Sequence, residues 1–216
     1  MELTGAEIVC RFLEDEGVEY LFGYPGGAAL HIYDALYKQD AVKHILVRHE
    51  QGATHMADGY ARISGKPAVC CVITGPGVTN IATAVGNAYA DSQPMLVIAS
   101  TNGSGDLGAG RGRLHEITDQ LAVIKPLTAF AQTIHDGRQI PGAINRAFDI
   151  FATGRPRPCY IELPIDKIAE AAEFAVETSP IAGPMRPAEE SIEKAAAVAS
   201  GARKPVIIAG GGVLDH

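Results

Sequence analysis

Glu50 lies in the run Arg48-His49-Glu50-Gln51-Gly52, behind an apolar strand pattern (His44 to Val47) and ahead of a helical pattern that ends at Gly65. A carboxylate in the first turn of a helix is stabilised by the helix dipole and needs no function. Glutamate is also one of the few side chains that can exchange a proton with a ligand nitrogen, so Glu50 is the first candidate for chemistry. A zinc-protease reading fails on spacing: H-E-x-x-H requires histidine where the chain has Ala53, and His55 falls two residues too far along.

Three further loops have unusual composition. Gly23-Tyr24-Pro25-Gly26-Gly27 combines a Pro-Gly turn signal with glycines that let backbone approach a ligand closely. Thr74-Gly75-Pro76-Gly77, followed by the helix that carries Asn80, has the form of a strand-to-helix turn with free backbone N–H groups. It would hold a phosphate or simply turn the chain; it is neither a P-loop nor G-x-G-x-x-G, since Asn80 stands at the third glycine position. Gly103-Ser104-Gly105-Asp106-Leu107-Gly108 does match the dinucleotide pattern. Its context is wrong, because glycines continue to Gly112 instead of opening an apolar helix, and a mobile glycine-rich loop is expected.

Such loops act only if elements hold them together. Thr4-Gly5-Ala6-Glu7 has capping-box spacing, and Ile8, Phe12 and Leu13 follow on one helical face until Gly17. Strand patterns at Tyr20 to Phe22, His44 to Val47, Pro67 to Ile73, Pro94 to Ala99, Leu127 to Ile134 and Cys159 to Leu163 alternate with helical ones. Near-continuous apolar strands between helices predict an α/β fold, a parallel sheet with helices on both faces. In such sheets ligands bind at the carboxyl ends of the strands, where all four loops lie.

Composition changes near Val176. The reading divides the chain into a domain over 1–177, a Pro-containing linker over 178–187, and a helix and strand (Pro205 to Ala209) over 188–216. One helix and one strand cannot make a core, so this last part is expected to be the truncated start of a second α/β domain.

With 47% hydrophobic and 20% charged residues among 216, the composition is that of a globular protein. A net charge of −7 argues against nucleic acid or an anionic membrane as partner. No apolar run approaches the roughly 20 residues of a membrane span, and no basic-then-apolar leader is present, so the cytoplasm is the expected compartment. Cys10, Cys70, Cys71 and Cys159 form no C-x-x-C pair and read as buried thiols, with Cys70 and Cys71 pointing to opposite faces of a strand. No metal-ligand set is predicted.

Taken together, GYPGGA, RHEQGA…ADGYAR-x-SGK, TGPG-x-TN and DSQP resemble, in order and spacing, the pyrimidine-binding domain of thiamine-diphosphate enzymes. The nearest likeness is to the catalytic subunit of acetohydroxyacid (acetolactate) synthase, over residues 1 to about 170. The resemblance implies that Glu50 hydrogen-bonds ring nitrogen N1′ of the cofactor and favours the imino tautomer, whose 4′ nitrogen removes the thiazolium C2 proton. Burial would suit that role by raising the carboxyl pKa. It further implies that Tyr24, Pro25, Gly26, Thr74, Gly75, Pro76, Gly77 and Asn80 line the pyrimidine site, which replaces the phosphate reading of the Thr74 loop.

In the family the diphosphate and Mg2+ are held by a G-D-G…N domain absent from this chain, and FAD, in synthases of this kind, by the central domain. The site forms between subunits, so a homodimer or higher homo-oligomer is implied, with a 2-oxo acid such as pyruvate as substrate and a fragment that is inactive alone. The chain departs from the synthases at Leu114-His115-Glu116 (for F-Q-E), at Ala129 (for a lysine) and at Ile73 (for a threonine). His115 is a candidate proton donor near neutral pH or an ordinary loop histidine.

Competing readings are a decarboxylase or lyase for another 2-oxo acid, the pyrimidine half of a two-chain enzyme, and a non-catalytic binding module.

Overall fold

The computed structural model describes residues 2–174 and 186–213. The chain divides into two compact units, Met1–Ala182 and Gly183–His216.

The first unit is built on a six-stranded, all-parallel sheet in the order β3-β2-β4-β5-β7-β6. Its strands are β2 (Tyr20–Gly23), β3 (Lys43–Leu46), β4 (Ala68–Val72), β5 (Met95–Thr101), β6 (Phe130–Thr133) and β7 (Cys159–Pro164). β4 and β5 are buried at every residue, as their unbroken apolar runs require.

Helices α1 (Gly5–Asp15), α2 (Leu30–Tyr37), α6 (Ile140–Thr153) and α7 (Ile165–Ala169) pack on one face, around Phe12, Leu13, Ile32, Ile144 and Ile168. Helices α3 (Glu50–Ser64), α4 (Pro76–Ala90) and α5 (Gln120–Ile124) cover the other, around Ala53, Ala57, Ile81, Val85 and Ile124. Adjacent Cys71 and Cys70 belong to these two separate cores, and all four cysteines are buried free thiols. The predicted α/β sheet with helices on both faces is therefore the observed fold.

The capping box forms: Thr4 Oγ1 accepts from Glu7 N at 3.2 Å, and Glu7 Oε2 accepts from Thr4 N at 2.8 Å. Gly65 ends α3 with φ 68°.

Two features of the first unit depart from expectation. β1 (Glu2–Thr4) pairs antiparallel with β8 (Ala171–Glu173), two three-residue segments too short to leave a pattern. The strand expected from Leu127 begins only at Phe130, because Lys125–Leu127 forms a 3-10 turn around Pro126. The glycine-rich loop carries cross-braces of its own. Arg111 Nη1 donates to Asp106 Oδ1 at 3.0 Å, Arg113 Nε lies 2.9 Å from Asp106 Oδ2, and Glu116 accepts the N–H groups of Arg111 and Arg113 at 3.1 and 2.9 Å.

In the second unit, α8 (Glu189–Gly201) forms as expected. The predicted strand Pro205 to Ala209 does not: these residues carry no strand, and Val206, Ile207 and Ile208 are 85–94% exposed. A strand needs a neighbour to complete its hydrogen bonds, and the described residues of this unit supply none. Residues 178–185 of the expected linker lie outside the described residues.

Candidate functional site

β2 has β3 on one side and β4 on the other, so the chain order reverses between β2 and β4. This reversal is the crevice where open α/β sheets bind ligands. Register puts the strand ends level, with Gly23 opposite Leu46 of β3 and Cys71 of β4. The loops carrying Tyr24 to Gly27, Arg48 to Glu50 and Ile73 to Gly77 thus leave the sheet side by side.

Gly23 is required by close packing at this point. A Cβ there would lie 2.2 Å from the Tyr33 hydroxyl and 2.6 Å from the Cys71 carbonyl oxygen, which the hydroxyl itself contacts at 2.8 Å.

Glu50 is the first residue of α3 and is 7% exposed. His49 caps the helix, its Nδ1 accepting from Gln51 N at 3.2 Å, so the helix start is satisfied without the Glu50 carboxylate. That carboxylate is instead engaged from the next helix: Asn80 Nδ2 donates to Glu50 Oε2 at 2.9 Å. Among the described residues no hydrogen bond reaches Oε1. An almost buried carboxylate with one oxygen held and the other uncommitted at a strand-tip crevice is arranged to bond something outside the chain.

Glycines hold the loops against each other. A Cβ on Gly26 would meet the Ile73 side chain at 2.3 Å, and one on Gly77 would meet it at 2.8 Å and Glu50 Oε1 at 3.6 Å. Ile73, the departure from the usual threonine, is thus the apolar spacer on which the Gly26 loop and Gly77 both rest. Thr74, Gly75 and Gly77 are buried, Asn80 is half-buried, and Tyr24, Pro25 and Pro76 are exposed on the rim.

Gly75 has φ 64° and ψ −110°, a conformation that L side chains rarely adopt, and a Cβ would lie 2.3 Å from the His115 carbonyl oxygen. The loop after β5 therefore folds back onto the turn before α4, bringing His115 beside Thr74 to Gly77. His115 itself has φ 59°, and its Nδ1 is sealed from solvent without a partner.

The structure adds residues that the motifs did not contain. Beneath the turn, Gln120, Ser100, Tyr160 and Glu162 form a buried polar network linked to Thr74 and Gly75. Burial, followed by the neighbouring Glu162, pushes the Tyr160 phenol well above its usual pKa, so it stays a neutral donor and acceptor. Thr74 and Gln120 also line a cavity of about 220 Å3 with Thr101, Thr133, His135 and Glu162. The only advance signal was a polar residue, Glu162, inside an apolar strand run. Among the described residues no group of three His, Cys, Asp or Glu could hold a metal, and no helix is long and apolar enough to cross a membrane.

A crevice at the strand-order reversal, a dry carboxylate and a glycine-lined turn define a cofactor-binding α/β domain. Residues 3–123 match the family described as thiamine pyrophosphate enzyme, N-terminal TPP binding domain. The chain belongs to that family.

Among its relatives, a probable 2-ketoarginine decarboxylase of Pseudomonas aeruginosa is 48% identical over 98% of this chain and 38% of its own length. The acetolactate synthase large subunit of Haemophilus influenzae is 39% identical over 99% of this chain and 38% of its own. A probable acetolactate synthase large subunit of Methanocaldococcus jannaschii is 43% identical over 98% and 36%. The chain thus spans less than two fifths of the length of these relatives.

Proposed function

We propose that this chain is the cofactor-activating domain of a thiamine-diphosphate-dependent 2-oxo acid decarboxylase/carboligase of the acetolactate synthase type. The observation that carries the reading is Glu50: buried, braced by Asn80 through Oε2, and unbonded at Oε1. When bound, thiamine diphosphate would supply the electron sink for decarboxylation. Glu50, whose Oε1 is uncommitted, would hold the cofactor's pyrimidine ring by a hydrogen bond and share a proton with it, and Asn80 keeps the carboxylate aimed. Gly26, Gly75, Pro76 and Gly77, with Thr74, shape the wall against the pyrimidine, and Tyr24 and Pro25 form its rim. The contact of the His115 backbone with Gly75 supports giving His115 the role of a proton donor near the substrate; an ordinary loop histidine is the competing reading.

Mg2+ and the diphosphate belong, on this reading, to a domain outside this chain, α8 begins a central domain, which holds FAD in those synthases that carry it, and the active unit is a cytoplasmic homodimer or larger homo-oligomer. The test uses the full-length protein supplied with thiamine diphosphate, Mg2+ and pyruvate. Glu50→Gln is expected to lower kcat by about 10²–10⁴-fold while leaving the circular-dichroism spectrum unchanged. Full activity in the variant would refute the role given to Glu50.

Product analysis separates the branches: acetolactate supports carboligation, acetaldehyde alone a simple decarboxylase. A second reading, decarboxylation of 2-ketoarginine, is favoured by the 48% identity to the Pseudomonas aeruginosa relative. A kcat/KM for 2-ketoarginine far above that for pyruvate would select it.

A further inference from the structure

Gln120 is the first residue of α5, is 5% exposed, and uses both sides of its carboxamide. Oε1 accepts from Thr74 Oγ1 at 2.8 Å and from Gly75 N at 2.7 Å. Nε2 faces the Ser100 carbonyl oxygen at 3.0 Å, the Tyr160 hydroxyl at 3.0 Å and Glu162 Oε2 at 3.2 Å. Only donors lie on one side and acceptors on the other, so these partners set the orientation of the amide.

Ser100 closes the ring, its Oγ accepting from Thr74 N at 3.2 Å. The Tyr160 hydroxyl donates to Glu162 Oε2 at 3.0 Å, and Thr133 Oγ1 donates to Oε1 at 2.7 Å, which anchors the assembly to β7 and β6.

What the ring holds is the strained turn. Gly75 is the N-cap of α4 and has no side chain to cap the helix. Gln120, 45 residues away in the chain, supplies the oxygen that takes up its N–H. From this turn α4 starts at Pro76, and Asn80, one helical turn on, donates to Glu50 Oε2. Any shift of the Thr74–Gly75 peptide moves the start of α4, and with it both the glycine wall and the brace on Glu50.

We infer that Gln120 is a positioning residue that sets the cofactor-facing turn and, through α4, the aim of Glu50. This rests on the thiamine-diphosphate reading. Leucine at 120 would strip partners from the Gly75 N–H, the Thr74 hydroxyl and the Ser100 carbonyl. Glutamate, of the same shape, would turn an acceptor toward the Ser100 carbonyl and Glu162.

The test uses the full-length protein and the variants Gln120→Leu, Gln120→Glu, Asn80→Ala and the Gln120→Leu/Asn80→Ala pair. Calorimetry gives thiamine-diphosphate affinity, steady-state kinetics give kcat and KM, and deuterium exchange of the cofactor-free protein reports on residues 74–80.

Gln120→Leu is expected to weaken cofactor binding about tenfold and lower kcat about 10–100-fold, with KM for the 2-oxo acid within about twofold. Gln120→Glu is expected to do at least as much. Exchange should rise at 74–80 while the amides of β4 and β5 stay protected. Gln120→Leu should cost much less on top of Asn80→Ala than alone, because both act on one device.

The inference is overturned by additive effects, by exchange that rises equally in β4, β5 and the turn, or by unchanged affinity and exchange in a folded variant. Should Gln120→Leu not fold, Tyr160→Phe removes one partner of Nε2 with little change of shape. It must raise exchange at 74–80, and unchanged exchange there sinks the idea. A wild-type protein that fails to bind thiamine diphosphate would refute the functional reading, while the exchange comparison would still decide whether Gln120 holds the turn.

Discussion

Gly75 and Gly110 have the same φ of 64°, but a Cβ on Gly75 would strike the His115 carbonyl oxygen at 2.3 Å and one on Gly110 would meet nothing within 4 Å. Both alanine variants bear a backbone cost of about 1–2 kcal/mol for the positive φ, and Gly75, with ψ −110°, bears the larger one. Gly75→Ala must also push the His115 loop aside, and a total loss of about 2–4 kcal/mol is expected. Denaturant titration of the two variants checks this; equal losses would mean that the contact with His115 carries no energy. Single residues were legible in the sequence to unequal degrees. Glu50, Asn80 and the turn glycines stand in contiguous motifs whose order points to one cofactor. Gln120 was not legible, since its partners come from three other strands and their loops, and only folding brings positions 74, 100, 120, 160 and 162 together.

At the level of elements, local signals held where one segment contains all its partners. The box of Thr4 and Glu7 is such a case, with every hydrogen bond made within four residues. Thr4→Ala is expected to destabilise the first unit by about 1 kcal/mol, measured as a shift in the denaturation midpoint. The Thr4 backbone N–H, followed by its hydroxyl, holds the Glu7 carboxyl below its usual pKa. The folded state therefore binds that proton more weakly than the unfolded one. This contribution is present above about pH 4.3 and fades as the pH falls through the folded-state value, so the gap between wild type and Thr4→Ala should narrow in acid. Signals failed where a segment depends on distant pairing. β1 and β8 are three residues each and exist only as a pair, and the apolar run Pro205 to Ala209 has strand composition without a strand beside it.

Across the first unit, the sheet separates two cores that share no side chain, and the chain has no tryptophan to report on either. Burial lifts the Cys71 thiol to about 12 and the Cys70 thiol higher still. In native protein at pH 8 none of the four cysteines is expected to react with iodoacetamide, and in urea all four should; rapid native alkylation of Cys70 or Cys71 would contradict the packing.

Because Cys70 and Cys71 are neighbours in sequence yet face different layers, one tryptic peptide would keep two clocks. Pulse alkylation during refolding, read by mass, would date the closing of each layer separately. Doubly shielded peptides appearing in a single phase would mean that the layers zip together around β4. A singly shielded species would reveal which side of the sheet dries first.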